Sequence, residues 1–148
     1  MNLDSIFNLF NNENEENFSN DESSLLVDFS EHPLFWISGF NKIISNHLFF
    51  KKYTAKTFKN ISPDFDIEEL EKAGEELMFR KAWDYIKYIN LNNNFHIECI
   101  KLKADDKLVS NLEESICFFE ALEEYEKCAL LKKIEDKAKE FLASDLDS

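Results

Sequence analysis

Only two glycines and two prolines stand in the 148 residues of this chain. That scarcity constrains the fold more than any other feature. Tight turns between strands draw on Gly and Pro, so a many-stranded sandwich or barrel is excluded, as is a glycine-rich loop that would cradle phosphate. Hydrophobic residues make up 44% of the chain, too many for a wholly disordered polypeptide, and the length suits one domain.

Helical spacing dominates what remains. Ser30 can cap a helix with Pro33 in its first turn, and apolar positions follow at Phe35, Ile37, Phe40, Ile43, Ile44 and Leu48. This helix runs toward Lys59, with a break expected near Lys51–Thr54 and an end at Ser62–Pro63. Asp66 caps the next, with Glu68, Glu69 and Glu71 near the positive end of its dipole. Its apolar stripe runs from Ile67 through Leu70, Leu77, Phe79, Ala82, Trp83 and Ile86 to Ile89. The segment Phe95–Leu102 alternates apolar with polar, but Ile100 falls out of step and no partner strand is evident. It reads as an irregular connection or a short helix. A third helix starts after Asp105 and stops near Leu122–Glu124; a fourth runs from Tyr125 to Leu142, followed by a frayed tail, 143–148. The expectation is an all-α protein: a helical bundle of about four helices over 31–142, behind a disordered acidic arm at 1–30.

Charge is zoned. The formal net charge is -13, yet residues 32–62 hold five Lys and no acid, while residues 1–31 hold eight acids and no Lys or Arg. A field of this overall sign repels nucleic acid at long range and suits a partner with a basic surface. The basic stretch interleaves its Lys with Phe35, Trp36, Phe40, Phe49, Phe50, Tyr53 and Phe58. Rings at helical spacing form core; rings beside Lys also stack on bases, and the sequence leaves both roles open.

Catalytic signals are weak. His96, Glu98 and Cys99 spell H-x-E-C, half of a zinc-deaminase signature whose P-C-x-x-C half is missing. The carboxylates Glu113, Glu114, Glu120, Glu123, Glu124 and Glu126 lack an E-x-x-H partner and read as solvated helix faces. Three cysteines, Cys99, Cys117 and Cys128, make no disulfide framework and read as small buried hydrophobes in a reducing compartment. No signal peptide or membrane span is expected, which implies a cytoplasmic protein that calls for no metal and no cofactor. Fifteen Asn without a Gln, and sixteen Lys with a single Arg, reflect an AT-rich coding sequence, as in an AT-rich bacterium, its phage or a virus.

Two local resemblances add to this reading. Leu112–Ile134 (LEESICFFEALEEYEKCALLKKI) resembles the UVR helical hairpin, with Tyr125, Glu126, Cys128, Ala129 and Leu131 at its core positions and Lys132–Lys133 replacing its Arg-Asp pair. The resemblance implies a protein-contact module in which Cys128 and Ala129 allow close helix approach and Tyr125 wedges the turn. Asn2–Phe7 (NLDSIF) is similar to sliding-clamp-binding peptides, which implies Leu3, Ile6 and Phe7 in a cleft and Asp4 setting the backbone; Phe10 extends the same apolar face. The functional expectation is a non-enzymatic protein-interaction adaptor or regulator docking on a larger protein through Leu3, Asp4, Ile6, Phe7 and Phe10. The alternative is a nucleic-acid-linked protein, either a DNA mimic or a replication or transcription accessory factor.

Overall fold

The computed structural model describes residues 30–61 and 67–146. The chain divides into two units, Met1–His32 and Pro33–Ser148, and the second contains five helices. They are α1 (Pro33–Ile61), α2 (Ile67–Ile86), α3 (Asn94–Lys103), α4 (Asp106–Ala121) and α5 (Tyr125–Leu146). No strand occurs among the described residues. The all-α bundle expected from the spacing is present, with one helix more than expected. The arm 1–29 lies outside the described residues.

The boundaries follow from local chemistry. Pro33 is the first residue of α1, where its missing N–H would have had no helical partner, so Ser30 stands too far back to be the cap. The helix then continues unbroken to Ile61, past the expected break at Lys51–Thr54. α2 has Glu68 and Glu69 in its first turn, facing the positive end of the dipole. α3 is capped by Asn93, whose side chain accepts from the Phe95 N–H at 2.9 Å. At α4 the Asp105 carboxylate accepts from Leu108 N–H at 2.7 Å. α5 extends to Leu146, four residues beyond the expected end, since nothing in Ala143–Leu146 breaks a helix.

α3 is the correction to the four-helix reading. Cys99 and Ile100 are consecutive and both buried. A strand would send them to opposite faces, whereas a helix sets them about 100° apart and lets both reach one core. Of the residues that made the alternation, Phe95, Ile97, Cys99 and Leu102, the first and last are exposed and only Cys99 is buried.

α1 is the hub and packs against α2, α3 and α4; α5 closes on α4 and α3. Ile37, Phe40 and Ile44 of α1 meet Phe79, Ala82 and Ile86 of α2, Ile100 of α3, Leu108, Leu112 and Phe119 of α4, and Leu131, Ile134 and Ala138 of α5 in one core. Leu70 and Leu77, two members of the expected α2 stripe, are exposed, and Met78 is buried instead. Gly39 permits the α1–α2 approach at Tyr85: a Cβ there would stand 2.7 Å from the ring. The only arginine, Arg80, ties α2 to the α4–α5 turn through a two-pronged pair with Glu124, at 3.3 and 3.2 Å.

Candidate functional site

α1 divides the basic aromatic segment into two halves with different roles. Up to His47, its aromatic residues belong to the fold: Phe40 is buried, Phe35 packs on Tyr85, and Trp36 stands against Tyr88 and His96. Beyond it, Phe49 is 76% exposed and Tyr53 65% exposed, with Phe50 also largely exposed. Lys52 and Lys56 are exposed beside them. The side chains of Phe58 and Lys59 lie outside the described set. Among the described residues, the segment is therefore core at its start and exposed at Phe49, Phe50, Lys52, Tyr53 and Lys56.

On the flank of the bundle, α1, α2 and α4 enclose an open groove of about 680 Å³. Leu48, Phe79 and Phe118 supply apolar lining, and Glu75, Glu113 and Glu114 supply three carboxylates against one cation, Lys51. Phe79 and Phe118 stack with centroids 4.6 Å apart, which joins α2 to α4 and fixes one wall. Cys117 lines the same groove and is exposed, contrary to the expectation of a buried thiol. The sequence offered one signal for this groove: Cys117, Phe118 and Phe119 are consecutive apolar residues, and one helix face cannot bury all three.

The groove walls are held by charge. Glu135 of α5 is nearly buried; burial pushes its carboxyl up, but Lys139 at 2.8 Å and Lys132 at 3.2 Å outweigh that and hold it below the ordinary value. Lys139 also reaches Glu113 at 3.2 Å, so α4 and α5 share the network. His47 of α1 packs toward α2 at Gly74, within reach of the charge of Glu75. Burial lowers the His47 pKa, with Glu75 acting in the opposite sense, and its Nε2 is buried without a hydrogen-bond partner among the described residues.

The other sequence candidates are not brought together. Leu3, Asp4, Ile6, Phe7 and Phe10 lie outside the described residues. His96 turns inward, where its Nδ1 accepts from Asn90 N–H at 2.9 Å and its ring meets Trp36 edge-on. Burial lowers its pKa. Cys99 points into the core, where burial raises its thiol pKa, and Glu98 is exposed. The three letters of the H-x-E-C run thus face three surroundings. Among the described residues no group of three or more His, Cys, Asp or Glu is placed to hold a metal ion, and no helix is long and apolar enough to cross a membrane.

Leu112–Ile134 covers the α4–turn–α5 hairpin. Within it Cys128 faces α4, its Sγ 3.6 Å from the Ile116 carbonyl, whereas Ala129 is exposed and Tyr125 is 62% exposed rather than wedged in the turn. No family model, curated protein or solved structure matches the chain. The reading of function therefore rests on these surfaces.

Proposed function

We propose that this chain is a non-enzymatic protein-interaction adaptor or regulator that docks on a larger protein. The groove between α1, α2 and α4 carries the reading. Its apolar lining offers a seat for large side chains, and Glu75 and Glu114, in no ion pair among the described residues, favour a partner segment with basic flanks. The whole chain, at -13, adds a field that speeds encounter with such a partner. The N-terminal peptide Leu3, Asp4, Ile6, Phe7 and Phe10, with its resemblance to clamp-binding peptides, is a second contact of the same adaptor. The UVR-like hairpin is in keeping with a contact module.

The test is affinity capture from cells that express the chain, followed by binding of each purified candidate to three forms. These are the native protein, Leu48→Glu/Glu114→Lys, and Leu3→Ala/Ile6→Ala/Phe7→Ala, each checked for unchanged circular dichroism. A genuine groove partner binds the native form and loses at least about tenfold in affinity, 1.4 kcal/mol, to the groove variant. Equal binding of every candidate to all three forms removes both surfaces from the proposal.

A further inference from the structure

The opposite side of α1 carries a different chemistry. Lys42, Ser45, Phe49, Lys52 and Lys56 follow one another at steps of three and four, Tyr53 stands four beyond Phe49, and all six share one face of the helix. Lys42, Phe49, Lys52, Tyr53 and Lys56 on it are exposed. No acid stands anywhere on α1. At the N-terminal end of the face lies a second groove, of about 510 Å³, to which α3 adds Lys103 and α4 adds Lys107. Its one acid, Asp105, is engaged in capping Leu108 N–H, with Asp106 following in the first turn of α4. Asn41 also lines it; its Oδ1 accepts from Asn111 Nδ2 at 3.0 Å, which leaves its own amide N–H groups for a ligand.

Five lysines thus converge on one side of an acidic protein, and none of the five is in an ion pair among the described residues. Elsewhere Arg80, Lys87, Lys127, Lys132, Lys137 and Lys139 meet carboxylates. The other lysines in no ion pair among the described residues, Lys51, Lys72, Lys81, Lys101 and Lys133, each have an acid within four residues on their own helix or line the acidic groove, whereas α1 carries no acid. Cations left unpaired and grouped beside two aromatic rings, four residues apart, match a ligand that alternates negative charge with flat apolar faces. Phosphate neutralisation by Lys and base stacking on Phe and Tyr are the two terms by which proteins hold unpaired strands. From Lys42 to Lys56 the face spans about 21 Å at 1.5 Å per residue, enough for several nucleotides of extended strand.

We infer that this face of α1, with the Lys103–Lys107 groove at its end, is a binding track for single-stranded nucleic acid. The track is separate from the acidic groove, so it stands whether or not the docking proposal holds. Duplex is disfavoured, because its bases are not free to lie on Phe49 and Tyr53.

The test uses the full chain and fluorescein-labelled oligothymidylate, oligouridylate and oligodeoxyuridylate of about ten nucleotides, followed by anisotropy. Five phosphate contacts give a log-log salt slope near -3.5, or roughly a hundredfold loss of affinity between about 50 and 200 mM salt. Lys52→Ser/Lys56→Ser flattens that slope by about 1.4, whereas Lys52→Arg/Lys56→Arg restores it. Phe49→Ser/Tyr53→Ser weakens binding at least about fivefold and leaves the slope unchanged. Tighter binding of oligouridylate than of oligodeoxyuridylate, or the reverse, identifies the sugar, since these two share the base. Three results overturn the inference: no binding at the lowest salt, duplex binding as tight as single strand, or displacement by polyglutamate at equal charge with no effect of the aromatic substitutions. The last would identify the face as a seat for an acidic protein.

Discussion

Glu123 holds φ at 61°, in the left-handed region that a side chain enters at a cost. It does so because α4 must stop and reverse within three residues. Glu124 N–H bonds the Phe119 carbonyl at 2.9 Å and Glu123 N–H bonds the Glu120 carbonyl at 3.0 Å, the pair of contacts that closes a helix C-terminus and normally employs glycine. Glu123→Gly is expected to stabilise the protein by about 0.5–1 kcal/mol, the left-handed strain relieved less the extra freedom glycine has when unfolded. Urea denaturation with an unchanged slope checks it. A second residue-scale expectation concerns acid. His47 and His96 both have pKa values lowered by burial, and the Asn90 N–H bond needs an unprotonated His96 Nδ1. The unfolded chain therefore binds more protons than the native one once pH falls toward 6.5. Stability is full above that value and declines as pH drops through the lower folded values. A further decline sets in below 4.5, where Glu124, held down by Lys127 and Arg80, and the paired Glu135 take up protons. Denaturation midpoints from pH 8 to pH 3 should show both steps, and His96→Gln should shrink the first.

At the scale of elements, helix identity follows from composition and spacing, but helix contacts depend on single positions. Gly39 is an example. Alanine would gain about 1 kcal/mol of helix propensity, yet its Cβ would meet Tyr85 ring atoms at 2.7 and 2.9 Å. Gly39→Ala is expected to destabilise by about 1–2 kcal/mol net, because overpacking outweighs propensity. Tyr85→Leu should suppress that loss in a double-mutant cycle, and additive effects would place the clash elsewhere. α3 makes a related point. Its boundaries are set by Asn93 and by the local bonds of Asn90, whose side chain accepts from Asn92 N–H at 2.9 Å. These asparagines, which carry no apolar periodicity, fix where a helix begins.

For the whole molecule, the consequential fact is that α3 belongs to the core. Ile100 is fully buried in the same cluster as Ile37 of α1 and Ile134 of α5. Ile100→Ala should cost about 2–5 kcal/mol and lower one cooperative transition. A separate low-temperature transition for the variant would instead mark α3 as an appendage. The fold also gives the two long sides of α1 opposite chemistry. One borders carboxylates and stacked rings; the other presents exposed lysines that are in no ion pair among the described residues, and exposed Phe49 and Tyr53.

The sequence by itself determined the all-α class, most helix starts and the charge zones, because each depends on neighbours within a few residues: caps, apolar periodicity, and runs with or without acids. It also singled out residues 32–62. Only the tertiary structure decided that this segment gives Ile37, Phe40 and Ile44 to the core and leaves Phe49, Phe50, Lys52, Tyr53 and Lys56 exposed, that Cys117 is exposed while Cys99 is buried, and that α3 closes the bundle. Those outcomes depend on which helix lies alongside. Leu77 and Met78 are one residue apart with similar hydrophobicity, and the position of the partner helices leaves the first at the surface and the second inside.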